Sequence, residues 1–205
     1  MSTQDTPSPR PGRPSTMRDP RRTICDAAAA LFAAKGYDAT SLQDVASAVG
    51  VTKAGLYHYF ATKQDLFDTI VLAVLSDMLD WARARVDVAA RPADQVAAFM
   101  AGHAAYFAAN RDHYRAAFIG RGGDLYVFTP EQMAARRAYT DFLTRILEEG
   151  RAAGDFAFED APLVARGILG MLNWMTRWYN PTGRKGAEEI AADYASIVLK
   201  GIATD

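Results

Sequence analysis

The sequence predicts an all-α protein with a small helical head and a larger helical body. Three observations carry this prediction. From residue 21 onward, apolar residues recur three and four positions apart, the spacing of one helix face. No segment shows sustained alternation of β-branched residues, as a strand would. The breaks between stripes are helix punctuation, with Gly36 and Gly50 as stops and Ser41, Thr52, Thr62 and Thr129 as starts.

Taken in order, residues 1–20 hold five of the nine prolines together with Ser, Thr and Arg. This composition buries little apolar surface and reads as a mobile basic arm. A first helix begins at Arg21, with Ile24, Ala28, Leu31 and Phe32 on one face and Gly36 as its C-cap. In TSLQDVASAVG, residues 40–50, Thr40 or Ser41 can cap a second helix. Ser41 and Asp44 have capping-box spacing, and Leu42, Val45, Ala46 and Val49 form the stripe. Gly50 ends it, and Thr52 caps a third helix over 53–59.

Thr62 caps a long fourth helix from Lys63 to about Val88, carrying Leu66, Phe67, Ile70, Val71, Val74, Leu75 and Met78. RPAD at 91–94 marks a turn into a fifth helix with Val96, Phe99, Met100, His103 and Phe107. A sixth helix runs from NRD at 110 to GRGGD. TPEQ at 129–132 opens a seventh, with Thr129 as cap, Pro130 at the first position and Gln132 completing a box. It continues to about Ala153. Two further helices, 161–179 and 187–201, flank the NPTGRKG turn.

Half the residues are hydrophobic and 11% aromatic, which excludes a disordered chain. No apolar run approaches the ~18 residues of a membrane span, and the N-terminus lacks the apolar stretch of a signal peptide. One cysteine, Cys25, excludes an intramolecular disulfide and reads as an inert, buried thiol. A cytoplasmic protein is expected. No cofactor and no metal site is expected either, since His58, His103 and His113 form no i, i+4 pair. The net charge of −1 hides a split: residues 1–63 carry +3 and the remainder −4. A basic head on an acidic body points to a polyanion at one end.

VTKAGLYHYF, residues 51–60, places Gly55 inside a helix and sets Tyr57, His58 and Tyr59 side by side. A helix made only for core packing uses neither device. Two short helices joined by a tight Gly50–Val51 turn form a helix-turn-helix, whose second member can enter a DNA major groove. Val51, Leu56 and Phe60 then anchor it. Lys53, Ala54 and Gly55 lead into the groove with small side chains, and Tyr57 and His58 reach phosphates or bases. Thr52 and the helix N-terminus favour a phosphate, and Lys63 adds a further backbone contact. The competing reading is a helical hairpin within a bundle, with Gly55 present for close packing.

ATSLQDVASAVGVTKAGLYHYFATKQDLFDTIV, with the preceding AAALFAAKGYDA, resembles the DNA-binding head of the TetR family of transcriptional regulators. The likeness implies a nine-helix architecture: an N-terminal three-helix domain over 21–63 and an effector-binding and dimerisation domain over 64–205. It implies a homodimeric repressor that binds a palindromic double-stranded operator and is released by a small hydrophobic effector. By position, Thr40, Ser41, Thr52, Lys53, Tyr57, His58 and Lys63 match the family's DNA contacts, with base readout near Lys53, Ala54 and Gly55. Arg18, Arg21 and Arg22 match its basic arm.

In the body, helix 161–179 is apolar on more than one side. Val164, Ile168, Met171, Leu172 and Met175 lie on one face with Trp174 and Trp178 nearby, and Gly167 and Gly170 permit close approach. The last helix carries Ile190, Tyr194, Ile197, Val198 and Ile202. A second apolar face must be covered, so Val164, Ile168, Met171, Met175, Tyr194, Ile197 and Val198 are expected at a subunit interface, a four-helix bundle. The alternative is a central helix buried within one chain.

GILGMLNWMTRWYNPTGRKGAEEIAADYASIVLKGI also resembles the tail of a TetR sub-branch regulating fatty-acid, steroid and aromatic-acid catabolism. That likeness implies an acyl-CoA thioester as effector; a free fatty acid, aromatic acid or xenobiotic is the alternative. Phe99, Met100, His103, Tyr106, Phe107, Phe118, Phe142, Leu143, Ile146, Trp174 and Arg177 are the expected pocket, with His103 either a satisfied core histidine or a ligand contact. Arg115, Arg136, Arg166, Arg177, Arg184 and Lys185 are the cations available for CoA phosphates or a carboxylate. An enzyme is disfavoured, since no P-loop, GxSxG, HExxH or Cys–His motif is present. An unregulated architectural DNA binder is disfavoured by the aromatic, Met-rich body.

Overall fold

The computed structural model describes residues 19–119 and 127–204. Among these residues there are nine α-helices: α1 (Pro20–Lys35), α2 (Leu42–Val49), α3 (Lys53–Tyr57), α4 (Lys63–Arg85), α5 (Pro92–Ala109), α6 (Arg111–Ile119), α7 (Pro130–Ala153), α8 (Ala161–Trp178) and α9 (Ala187–Ile202). The only bridge pairing among them is the isolated one between Phe156 and Ala203. Arg18 with the rest of the arm, and the GRGGD stretch, lie outside the described residues.

Helix ends differ from the sequence reading for local reasons. The carboxylate of Asp19 accepts the Arg22 N–H at 3.0 Å, so Asp19 caps α1 and Pro20 takes its first position. α3 is a single turn ending at Tyr57. The Leu56 carbonyl accepts from both Tyr59 N–H (2.9 Å) and Phe60 N–H (3.1 Å), which turns the chain and drives Phe60 into the core. α4 stops at Arg85 because Val86 takes an extended conformation and buries its side chain. The Asp87 carboxylate then holds the turn by accepting the Ala89 N–H at 2.9 Å.

Two apolar clusters divide the molecule. The head cluster joins Ile24, Phe32, Tyr37, Val45, Leu56, Phe60 and Phe67. Phe32, Tyr37 and Phe67 pack tilted and edge-on with centroids 4.8–5.7 Å apart. The body cluster surrounds α5, where Val96, Phe99, Met100 and Ala104 are fully enclosed. α4 belongs to both: Leu66, Ile70, Val71 and Leu75 face the head core, while Val74, Met78, Leu79 and Ala82 face the body core. α6 is likewise shared, with Ala116 in the head cluster and Phe118 packed against both.

The outer face of α8 and α9 is apolar and uncovered in the protomer. Leu163 (62% exposed), Trp174 (63%) and Ile197 (65%) stand out, with Trp178 beside them. An added Cβ at Gly167, Gly170 or Gly201 would meet nothing within 4 Å. Leu163, Gly167, Gly170, Trp174 and Trp178 follow helical spacing and form one stripe. Of the residues expected at a subunit interface, Ile197 lies on this face and Val164, Met171, Tyr194 and Val198 are half-buried. Ile168 and Met175 are instead buried inside the protomer, since they point toward the body core. Trp174, expected in the pocket, stands on this exposed face together with Leu163.

Candidate DNA-binding surface and ligand cavity

The helix-turn-helix is built by caps. Ser41 Oγ accepts the Asp44 N–H (3.1 Å), and the Asp44 carboxylate accepts both the N–H and the hydroxyl of Ser41 (2.8 Å each). Those bonds hold the Asp44 acid below its usual range. Gly50 takes φ +77° in the left-handed region and ends α2. Thr52 Oγ1 accepts the Gly55 N–H at 3.0 Å. A Cβ at Gly55 would sit 3.2 Å from that same oxygen, so the glycine keeps the cap intact.

Three of the expected DNA contacts also hold the head together. Thr40 is buried, and its hydroxyl donates to the Gly36 carbonyl at 2.8 Å. Lys63 Nζ donates to the carbonyls of Tyr37 and Thr40 (2.8 Å each) and Asp38 (3.4 Å), 4.3 Å from the Tyr37 ring centroid. With its three N–H groups so engaged, Lys63 fixes the α1–α2 loop. Arg21 donates to the Tyr59 carbonyl at 2.9 Å and lies over the Phe60 ring at 4.6 Å, clamping the end of α3.

Exposed on this surface are Arg21, Arg22, Ser41, Thr52, Lys53, Ala54, Tyr57 and His58. Tyr57 is 46% exposed, and Lys53 Nζ lies 5.9 Å from its ring centroid. A groove of about 350 Å³ runs between the start of α2 and α3, from Ser41 and Gln43 to Lys53 and Tyr57, with Thr40 and Lys63 also on its wall. Gln43 was missed in the sequence. Its place in the first turn of a capped helix, next to Ser41, was the available signal.

The body holds a cavity of about 800 Å³, open at one side. α4 contributes Leu75 and Met78, α6 Phe118, and the segment before α7 Phe128. α7 adds Met133, Arg136, Arg137, Tyr139, Thr140, Asp141 and Thr144, and α8 adds Pro162, Arg166, Leu169, Gly170 and Asn173. Phe118 is the one expected pocket residue on this wall. Phe99, Met100, His103, Tyr106, Phe107, Phe142 and Ile146 are buried in the body core, where α5 is packed by α4, α7, α8 and α9. Leu143 is enclosed with them. Trp174 faces outward with the Arg177 guanidinium 5.9 Å from its ring centroid.

Of the expected cations, Arg136 and Arg166 line the cavity and Arg137, missed in the sequence, joins them. Arg184 is exposed in the α8–α9 turn, and Lys185 pairs with Asp193. His103 is fully buried and hydrogen-bonded to two tyrosines, with Nδ1 2.9 Å from Tyr139 and Nε2 2.8 Å from Tyr114.

The fold and these two sites define a helix-turn-helix regulator whose body encloses a ligand-sized space. Residues 24–70 match the family described as bacterial regulatory proteins, tetR family, and residues 89–202 match the tetracyclin repressor-like C-terminal domain. The HTH-type transcriptional repressor KstR2 of Mycolicibacterium smegmatis is 32% identical over 207 residues, covering 94% of this chain and 93% of its own. The structure of the TetR family regulator PfmR from Thermus thermophilus superposes with a TM-score of 0.78 at 36% identity, covering 86% of this chain and 97% of that one. AibR in complex with isovaleryl coenzyme A and operator DNA superposes with a TM-score of 0.76 at 26% identity, covering 87% and 97%. The chain belongs to the TetR family of transcriptional regulators, and the enzyme reading falls with that assignment.

Proposed function

We propose that the protein is a homodimeric repressor that binds a palindromic operator and releases it when an acyl-CoA thioester enters the body cavity. The observation that carries this reading is Leu75 of α4, which is packed in the head core and also forms part of the cavity wall. A ligand pressing on α4 therefore acts on the element that carries the head, and selects a conformer in which the two heads lose register with the DNA. Two recognition helices in adjacent major grooves stand ~34 Å apart. The α8–α9 face supplies the dimer contact. No helix among the described residues is long and apolar enough to cross a membrane, and we assign the protein to the cytoplasm, where its operator lies.

Two observations support the acyl-CoA class. AibR, similar along most of its length, is described in complex with isovaleryl coenzyme A. In this chain Arg136, Arg137 and Arg166 stand with apolar Leu75, Met78 and Leu169 around one cavity, a pairing suited to an apolar acyl group bearing a polyanionic handle. A thermal-shift screen of CoA thioesters beside their free acids tests it. A ligand at about 100 times its Kd stabilises by ~2.7 kcal/mol. A shift with free acids and none with thioesters overturns the CoA assignment.

The DNA surface is tested by gel shift. Lys53→Ala with Tyr57→Ala removes two exposed groups of the groove and is expected to weaken operator binding more than tenfold, at ~1–3 kcal/mol per specific contact. Unchanged affinity overturns the assignment.

A further inference from the structure

A chain of hydrogen bonds crosses the body from one cavity-lining residue to another. It runs Tyr139–His103–Tyr114–Asn173, through α7, α5, α6 and α8. Tyr139 and Asn173 both line the cavity, whereas His103 and Tyr114 are fully buried. Tyr114 is held in place by Phe118, stacked at 4.5 Å between centroids.

The direction of this chain follows from counting protons. Burial pushes the His103 pKa down to about 3 and both phenols well above their usual value, so all three groups are neutral. The Tyr114 hydroxyl donates to Asn173 Oδ1, since an amide oxygen can only accept. Its single proton is thereby used, so Tyr114 accepts from His103, and Nε2 carries the ring proton. A neutral imidazole then has a bare Nδ1, to which Tyr139 donates. Two hydrogen-bonding capacities remain on these residues of the cavity wall. Tyr139 keeps an oxygen that can accept, and Asn173 keeps an amide nitrogen that donates, with no partner among the described residues.

We propose that Tyr139 and Asn173 form a polar reading pair whose opposite hydrogen-bonding characters are set by the buried His103–Tyr114 link. The effector this pair selects carries a carbonyl or hydroxyl oxygen on the part enclosed by the cavity, in preference to an unsubstituted hydrocarbon. A carbonyl oxygen is met by the Asn173 amide, and a hydroxyl proton by Tyr139. His103 and Tyr114 are positioning residues that do not touch the ligand. An unsubstituted chain leaves both groups desolvated and unpaired, which is the physical source of the discrimination.

This inference rests on the cavity being the effector site. The probes are octanoic acid, 7-oxooctanoic acid and 7-hydroxyoctanoic acid, each as the free acid and as the CoA thioester. Binding to the full-length protein is measured by calorimetry. The oxygenated members are expected to bind about tenfold more tightly than the parent, the size of one net hydrogen bond. Asn173→Leu is expected to erase the ketone preference and Tyr139→Phe the alcohol preference. Tyr114→Phe keeps both cavity-facing groups, yet is expected to reduce the ketone preference by freeing the Asn173 amide to turn over. Equal binding of parent and derivatives, or preferences intact in Asn173→Leu and Tyr139→Phe, overturns this inference alone. Failure of every probe to bind in either form overturns the effector site and this inference with it.

Discussion

The Gln132 side-chain amide donates to the Asp68 backbone carbonyl at 3.0 Å, tying the first turn of α7 to the DNA-proximal half of α4. The same glutamine completes the α7 capping box, its Oε1 accepting the Thr129 N–H at 3.0 Å. Over the next turn and a half, α7 presents Met133, Arg136 and Arg137 to the cavity. Cavity wall and reading head thus share a buried polar joint.

Gln132→Leu removes the joint and the box while keeping an apolar body of similar size. We expect a stability loss of about 1–2 kcal/mol from the lost Thr129 cap and the lost bridge to α4, read by chemical denaturation. A weaker operator release by effector, at unchanged effector affinity, is expected from the same variant.

Lys63→Met leaves three loop carbonyls without their donor. A charged donor is worth ~1.5–3 kcal/mol per well-made bond, and partial exposure of Lys63 brings the expected loss toward ~2 kcal/mol. Operator affinity should fall because the Ser41 cap loses its support. If Lys63 instead acts chiefly as a phosphate contact, the variant keeps its stability and loses about one unit of the salt slope.

His103 gives a pH dependence whose sign is fixed. Its folded pKa, about 3, lies below the unfolded value of 6.5. Below pH 6.5 the unfolded state therefore binds the extra proton, and stability is present above that pH and lost as pH falls. One unit of linkage is 1.36 kcal/mol, so wild type should lose roughly 2 kcal/mol between pH 6.5 and 5 that His103→Asn does not lose. Denaturation midpoints over that window measure it, and equal slopes for the two proteins would refute it.

Ile197→Asp puts a charge on the apolar α8–α9 face without disturbing the protomer core, since Ile197 is exposed. We expect monomers in analytical ultracentrifugation and loss of tight operator binding with the helix content retained. Trp174→Glu should act alike. A dimer that persists in both variants rules out this face.

The head was largely legible in the sequence because its signals are local. Ser41 with Asp44, Thr52 and Gly50 each act within four residues, and periodicity placed Leu56 and Phe60 inward. What the sequence did not reveal is which polar groups the fold consumes. Lys63 and Arg21, matched by position to DNA contacts, also bond partners 23–26 and 38 residues away in the chain. In the body, an aromatic stripe such as Phe99–His103–Phe107 reads the same whether it lines a space or fills one. Only the packing around α5 decides that, and it filled the stripe. The cavity fell where arginines and threonines of α7 meet α8, a composition that reads along the chain as a solvated face.

Leu75 gives the design a price in evolvability. A sensor with a separate lever could tighten its reading head and tune its trigger independently. Here one side chain sits in the grip that steadies the head and in the wall that feels the ligand, so a substitution that improves either fit shifts the other. Variants selected for stronger repression at this position should emerge with a raised threshold for induction, and hyper-responsive ones with a looser hold on DNA.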